Sequence, residues 1–274
     1  MRKNFTTELI KKLIDLSFAP LKKSKTFLSY LFDHTLLNEM EERSEKGELF
    51  PHHHIHRSIM LAKKLLNQKF IILDIGGGIG ATVKLFNQFY PENKILVFEP
   101  IDDNFNAIKL RFSPYTNIEI LKYAIGNENS VKKINIANRI TSSSILPLAA
   151  DKNSEFFNEN NLGQARVESI EIVRLDDFMI KYHDEIGIMK IDVQGFELDV
   201  LKGAEVTLNR TDIVVLEVNN HNGYVGSPKY YDIDKFLREH NFTLYDILPS
   251  IMDNKKLKEW DVIYLNNLAQ CVSA

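Results

Sequence analysis

The sequence predicts an α/β domain built on a mostly parallel sheet with helices on both faces. Two observations carry this. The first is the run Phe70-Ile71-Ile72-Leu73-Asp74-Ile75 passing straight into Gly76-Gly77-Gly78-Ile79-Gly80-Ala81, with Val83, Leu85, Phe86 and Phe89 at helical spacing after it. The second is that apolar runs of strand length keep alternating with helical patterns to the far end of the chain. Composition agrees: 274 residues are enough for one large domain plus an appendage, and 44% hydrophobic with 26% charged residues is ordinary for a globular protein.

In chain order, residues 1–50 read as helices, and a charged stretch from Asn38 to Glu48 leads to the break at Pro51. A further helix, Ser58 to Leu66, runs into the first strand. Strand 70–75, helix 81–89, strand 94–99, helix 103–112 and strand 117–124 follow, with Pro91 and Pro100 at the expected ends. Residues 131–137 alternate like a strand. Residues 138–163 are rich in Ser and Asn and read as a loop with some helix. Val167 to Leu175 alternates Val and Ile with Glu and Ser, the pattern of a half-exposed strand. Strand 186–192, helix 196–209, strand 212–218, helix 230–239 and strands 242–249 and 259–265 complete the series. The domain is expected over residues 57–274, with 1–56 as a helical N-terminal extension.

Charge and cysteine content exclude several classes. A net charge of −3 gives no reason to expect nucleic acid as the main partner. One cysteine, Cys271, permits neither a disulfide framework nor a cysteine-based zinc site within one chain, which suits the cytoplasm. Residues 1–25 differ from the rest: seven basic residues stand against Glu8 and Asp15, a net +5 that leaves −8 elsewhere. Phe5, Leu9, Leu13 and Leu16 recur at helical spacing there. Asp15 and the lysines interrupt any secretion-signal core. A basic amphipathic helix of this kind either packs on the domain or touches an anionic membrane surface peripherally.

The glycine run fits two cofactor templates. Gly76-x-Gly78-x-x-Ala81, with Glu99 23 residues past Gly76, satisfies the dinucleotide fingerprint. Asp74-x-Gly76-x-Gly78-x-Gly80 satisfies an acid-first pattern that resembles the first motif of S-adenosylmethionine-dependent methyltransferases. A carboxylate at the loop would repel a pyrophosphate, whereas a sulfonium and an ammonium group attract one. Glu99 closes the second strand, where its carboxylate would accept from both hydroxyls of a ribose. Ile101 would lie against an adenine face.

The second half weighs in the same direction. Met189-Lys190-Ile191-Asp192-Val193-Gln194-Gly195-Phe196-Glu197-Leu198, ending in Leu201-Lys202-Gly203-Ala204, closely resembles the signature of the FkbM family of methyltransferases. Glu99-Pro100, Ala124 with Gly126, Ser142 to Ser144, and Leu175-Asp176-Asp177-Phe178 fall in family order. Gln194 stands where Glu is usual, and Gly77-Gly78 where Ala-Asn is common. The resemblance spans about Phe70 to Glu217 and implies a seven-stranded Rossmann-like class I methyltransferase fold. It also implies S-adenosyl-L-methionine as cofactor, and as acceptor a small-molecule or glycan hydroxyl on a sugar, a glycolipid or a secondary metabolite.

Methyl transfer from a sulfonium is an in-line displacement that rests on positioning, with a general base taking the hydroxyl proton. Asp192, at the end of the strand next to the first, is the candidate acid facing the transfer centre, on the acceptor side or orienting the cofactor. Glu217 ends the next strand, and His221 just after it is a candidate base. Asp192, Glu217 and Asn219 could instead hold a divalent cation through oxygen, although the expected site takes no metal. Ser142 to Ser144 are either a lid or a solvated loop. His52, His53, His54 and His56 precede a helix whose start should lie at the carboxyl edge of the sheet, so one or two either line the acceptor pocket or cap that helix. The competing readings are an NAD-dependent oxidoreductase and a non-catalytic, membrane-associated binding protein on the same fold.

Overall fold

The computed structural model describes residues 53–66, 69–137, 142–147, 164–219, 224–253 and 256–268. The basic N-terminal segment, His52, Asn220, His221 and most of 138–163 lie outside them. The first described element is helix α1 (His53–Leu65), followed by β1 (Ile71–Ile75), α2 (Ala81–Phe89), β2 (Lys94–Phe98) and α3 (Asp102–Phe112). Then come β3 (Ile118–Leu121), β4 (Ala124–Ile125), β5 (Ser130–Ala137), β6 (Gln164–Val173) and α4 (Leu175–Met179). The remainder is β7 (Ile186–Ile191), α5 (Glu197–Lys202), α6 (Glu205–Leu208), β8 (Thr211–Asn219), α7 (Tyr230–Glu239), β9 (Phe242–Asp253) and β10 (Lys256–Asn266).

Seven strands form the main sheet in the order β3-β2-β1-β7-β8-β10-β9. Pairing is parallel from β3 across to β8, and β10 alone runs backwards, antiparallel to both β8 and β9. Every residue of β1 and of β7 is buried, which is why both read as unbroken apolar runs rather than alternating ones. Ile71, Leu73 and Ile75 share one core cluster with Leu175 and Met179 of α4, Val200 and Leu201 of α5, Leu208 of α6, and Ile233 and Leu237 of α7. Alternation therefore turns Ile72 and Asp74 to the opposite face, where α1 and α2 pack. The chain order reverses between β1 and β7, so a crevice opens outside their carboxyl ends, the usual ligand position in such sheets.

Three sequence expectations change. Residues 117–124 are not one strand: β3 pairs with β2 only as far as Leu121, and after Lys122 and Tyr123 the chain joins a separate three-stranded sheet, β4-β6-β5. That sheet packs Ile134, Ile136, Ile170 and Ile172 against Ile101, Ala124 and Phe196, and so stands beside the crevice. Residues 196–209 form two helices, because at Gly203 the backbone passes so close to Gly126 that an added Cβ would lie 1.9 Å from the Gly126 carbonyl oxygen. Finally, α1 begins at His53 rather than at Ser58, whose hydroxyl donates to the Ile55 carbonyl from within the helix. Ile55, Ile59 and Ala62, on one stripe, are fully buried.

Candidate active site

The turn after β1 is fixed by its backbone. Gly76, Gly78 and Gly80 have φ of 84°, 52° and 81°. Gly76 and Gly77 both donate their N–H to the Phe98 carbonyl of β2, at 3.0 and 3.1 Å. Gly76 also lies against the end of β7, so close that a Cβ would sit 1.9 Å from the Asp192 carbonyl oxygen, whereas a Cβ on Gly78 would meet nothing within 4 Å. Gly76 and Gly78 line the crevice. Gly80, also expected at the cofactor, packs on Phe112 of α3 as the residue preceding α2.

Asp74 lies beneath the turn rather than in the crevice wall. The acid-first template places its carboxylate at the ligand, but the side chain is fully buried on the face covered by α2 and is not part of the crevice lining. It accepts a hydrogen bond from the Thr82 hydroxyl and forms an ion pair with Lys190 Nζ at 3.1 Å. Lys190 donates in turn to the Gly76 carbonyl at 2.8 Å and lies 3.6 Å from Asp192. Burial opposes the Lys190 charge, but Asp74, Asp192 and Glu217 outweigh it and hold the ammonium above its ordinary range. Asp74 therefore anchors the cation that props the glycine turn. Lys190 is a site residue without a role in the sequence reading, yet a lysine inside the otherwise apolar run Ile186 to Ile191 is its visible signal.

Glu99 lies where the spacing puts it. One carboxylate oxygen accepts the Gly78 N–H at 2.8 Å, the other the Ile101 N–H at 2.9 Å, and the side chain is only 3% exposed. Burial pushes its pKa up to about 7, against the pull of these N–H donors, of Asn104 and of Lys190. Ile101 and Ala124, both nearly buried, line the same crevice with Phe98 and Tyr123. A carboxylate beside a slot walled by apolar side chains suits a flat heterocycle with a hydroxylated sugar.

At the other end of the crevice, Asp192 follows β7 and also lines it. Its Oδ1 accepts from Gln194 Nε2 at 2.9 Å, and the same nitrogen donates to Glu217 Oε2 at 3.0 Å. Glu217 stands behind Gln194 and outside the lining. Burial first, then Asp192, Glu259, Asp261 and Glu197, push its pKa well above the carboxylate range. The Tyr224 hydroxyl lies 2.8 Å from the Ser142 carbonyl and 3.1 Å from Gln194 Oε1. Ser144 donates to the Gln194 carbonyl at 2.6 Å, and Ser143 and Ile145 line the crevice, so the serine segment closes one side of it. Gln194 and Tyr224 join across 30 positions of sequence, a contact no local pattern announces. Of the histidines, His54 pairs with Asp261 at 2.9 Å and His56 packs edge-on to Phe89. Neither His54 nor His56 lines the crevice; His52 and the side chain of His53 lie outside what is described.

A sequence model described as the methyltransferase FkbM domain matches residues 74–244, from the acid of β1 into β9 and well over half of the chain. Methyltransferase 1 of Beauveria bassiana (strain ARSEF 2860) is 24% identical over 191 residues, covering 64% of this chain and 76% of its own. The 2-O-methyltransferase NoeI of Sinorhizobium fredii (strain NBRC 101917 / NGR234) is 25% identical over 176 residues, covering 63% and 72%. Methyltransferase sdnD of Sordaria araneosa is 24% identical over 156 residues, covering 49% and 60%. The order of strands, the crevice at the switch between β1 and β7, and the extent of this match lead to one assignment: the chain belongs to the FkbM methyltransferase family.

Proposed function

We propose that the protein transfers a methyl group from S-adenosylmethionine to a hydroxyl oxygen of a sugar, glycolipid or secondary metabolite. The observation that carries the donor is the Glu99 carboxylate, buried at the crevice with a backbone N–H on each oxygen and the Asn104 side chain as a third donor. These three donors leave about one of its four lone-pair sites open, enough to accept a ribose hydroxyl. Hydrogen-bond accounting also favours this donor over a dinucleotide. The N–H groups of Gly76, Gly77, Gly78 and Gly80 all point to acceptors within the protein, so they are not offered to a pyrophosphate. No helix of the described residues is long and apolar enough to cross a membrane.

When bound, the donor supplies an electrophilic methyl on a sulfonium, and the protein's share is placement. Glu99 would hold the ribose, Ile101 and Phe98 would flank the base, and the Gly76–Gly78 backbone would form the floor under the methionine part. Asp192 faces the space beyond, where its carboxylate would orient an acceptor hydroxyl or take its proton. The oxygen chemistry of NoeI is in line with such an acceptor.

Calorimetric titration with S-adenosylhomocysteine and with NAD tests the donor: the first is expected to bind and the second not. Glu99→Ala should weaken S-adenosylhomocysteine by at least about tenfold, roughly 1.4 kcal/mol. The raised Glu99 pKa adds a sign. Its ionised form accepts a ribose hydroxyl, and below about 7 a proton must first leave. Affinity should therefore fall by about tenfold from about pH 8 to about pH 6. Glu99→Gln should abolish that slope. A flat profile in the wild type would remove Glu99 from the ligand. Incubation with radiolabelled methyl donor and extract of the source cells, followed by identification of the labelled species, tests the acceptor.

A further inference from the structure

Two carboxylates at the ends of adjacent parallel strands converge on one nitrogen. Gln194 Nε2 is 2.9 Å from Asp192 Oδ1 and 3.0 Å from Glu217 Oε2. Acids held this near each other keep a proton on one of them, hold a cation between them, or share a neutral group that donates to both, and here such a group is in place. A primary amide has two N–H bonds diverging from one nitrogen and no charge. The orientation of this amide follows from its neighbours: turned over, its oxygen would face two carboxylate oxygens, while as placed Oε1 faces the Tyr224 hydroxyl at 3.1 Å. The residue is held in the left-handed region at φ 55°, unusual for a side chain of this kind, with its carbonyl taken by Ser144 at 2.6 Å. Four connections thus fix the amide nitrogen between the acids: Asp192, Glu217, Tyr224 and the serine segment.

We propose that Gln194 is a positioning residue whose side-chain amide stands where a divalent cation would otherwise bridge Asp192 and Glu217, so that Asp192 is aimed at the acceptor space without a metal ion. The role in catalysis rests on the methyl-transfer reading of the crevice; the bridge itself does not. A carboxylate at position 194 would give three negative groups around one point, the oxygen-rich setting that calcium or magnesium binds. The charged and titratable groups facing this point are Asp192 and Lys190 from the β7 end, Glu197 of α5, Glu217 of β8, Glu259 and Asp261 of β10, and Tyr224.

Thermal unfolding of the full chain tests the bridge with two variants. Gln194→Glu should melt well below the wild type in chelator and regain most of that loss in millimolar Ca²⁺, while the wild-type Tm does not respond to Ca²⁺. Gln194→Met keeps the length but removes both donors. Its Tm should fall below that of the wild type and stay there in millimolar Ca²⁺, because the two acids lose their shared donor and gain no ligand for a cation. A wild-type Tm that rises with Ca²⁺ as far as that of Gln194→Glu would overturn the proposal, and so would a Gln194→Met Tm equal to that of the wild type. If Gln194→Glu does not fold under either condition, Gln194→Met decides alone. Failure of the wild type to bind S-adenosylhomocysteine would sink the donor reading and leave these two results standing.

Discussion

Lys190→Met is expected to cost about 3–5 kcal/mol of folding stability, the range for removing one partner of a buried ion pair. Lys190 and Asp74 have side chains only 4% and 0% exposed, with 3.1 Å between them. Methionine fills much of the space, so little of the loss would come from a cavity. What remains is a carboxylate under α2 with the Thr82 hydroxyl as its remaining donor, and a Gly76 carbonyl that has lost its hydrogen bond. The variant also leaves Asp192 without its nearby positive charge. Urea unfolding followed by circular dichroism measures the loss. The double variant Asp74→Asn with Lys190→Met should recover at least half of it, since a neutral amide under α2 needs no counter-charge. A loss below about 1 kcal/mol in the single variant would mean that water or another group reaches Asp74, and that the pair is not the prop of the glycine turn.

The same pair marks the limit of what the sequence discloses. That an acid and three glycines follow a buried strand is plain in the letters, and so is the strand end that carries Glu99. Which way Asp74 faces is not plain, because β1 is buried on both sides and its apolar residues do not alternate with polar ones. The acid therefore reads as a ligand contact until Leu73 and Ile75 are seen to share a core with α4 to α7, leaving Asp74 for the opposite face. The second sheet was hidden for a related reason. Its β4 has two residues, and its place beside β6 depends on a pairing of Ala124 with Ile172, far apart in sequence. The break at Gly203 depends in the same way on contact with Gly126. Strand and helix periods are local and were legible; register between distant segments is not, and Gln194 meets Tyr224 only through such register.

Gly76→Ala and Gly78→Ala should separate the fold from the ligand, although the two residues are neighbours in one turn with positive φ. At Gly76 a Cβ would lie 1.9 Å from the Asp192 carbonyl oxygen and 2.9 Å from its carbon. Both are backbone atoms that cannot swing aside: Asp192 donates its N–H to Ile75 at 3.0 Å, and Gly76 donates to Phe98 at 3.0 Å. Relief requires β1 and β7 to part at the carboxyl edge. A left-handed alanine costs about 1–2 kcal/mol and overpacking a further 1–3, so Gly76→Ala should lose about 2–5 kcal/mol in urea. S-adenosylhomocysteine binding should fall with it by about a hundredfold or more, since the floor of the crevice moves. At Gly78 a Cβ meets nothing within 4 Å, so only the conformational cost of about 1–2 kcal/mol applies and the protein stays folded. Gly78 lines the crevice, and a Cβ there would stand between the turn and a ligand that approaches its backbone. Gly78→Ala is therefore expected to keep a near-native unfolding midpoint and still bind S-adenosylhomocysteine at least about tenfold more weakly. If it binds as tightly as the wild type, the ligand does not rest on Gly78, and the floor of the site must be sought nearer Asp192 and Val193.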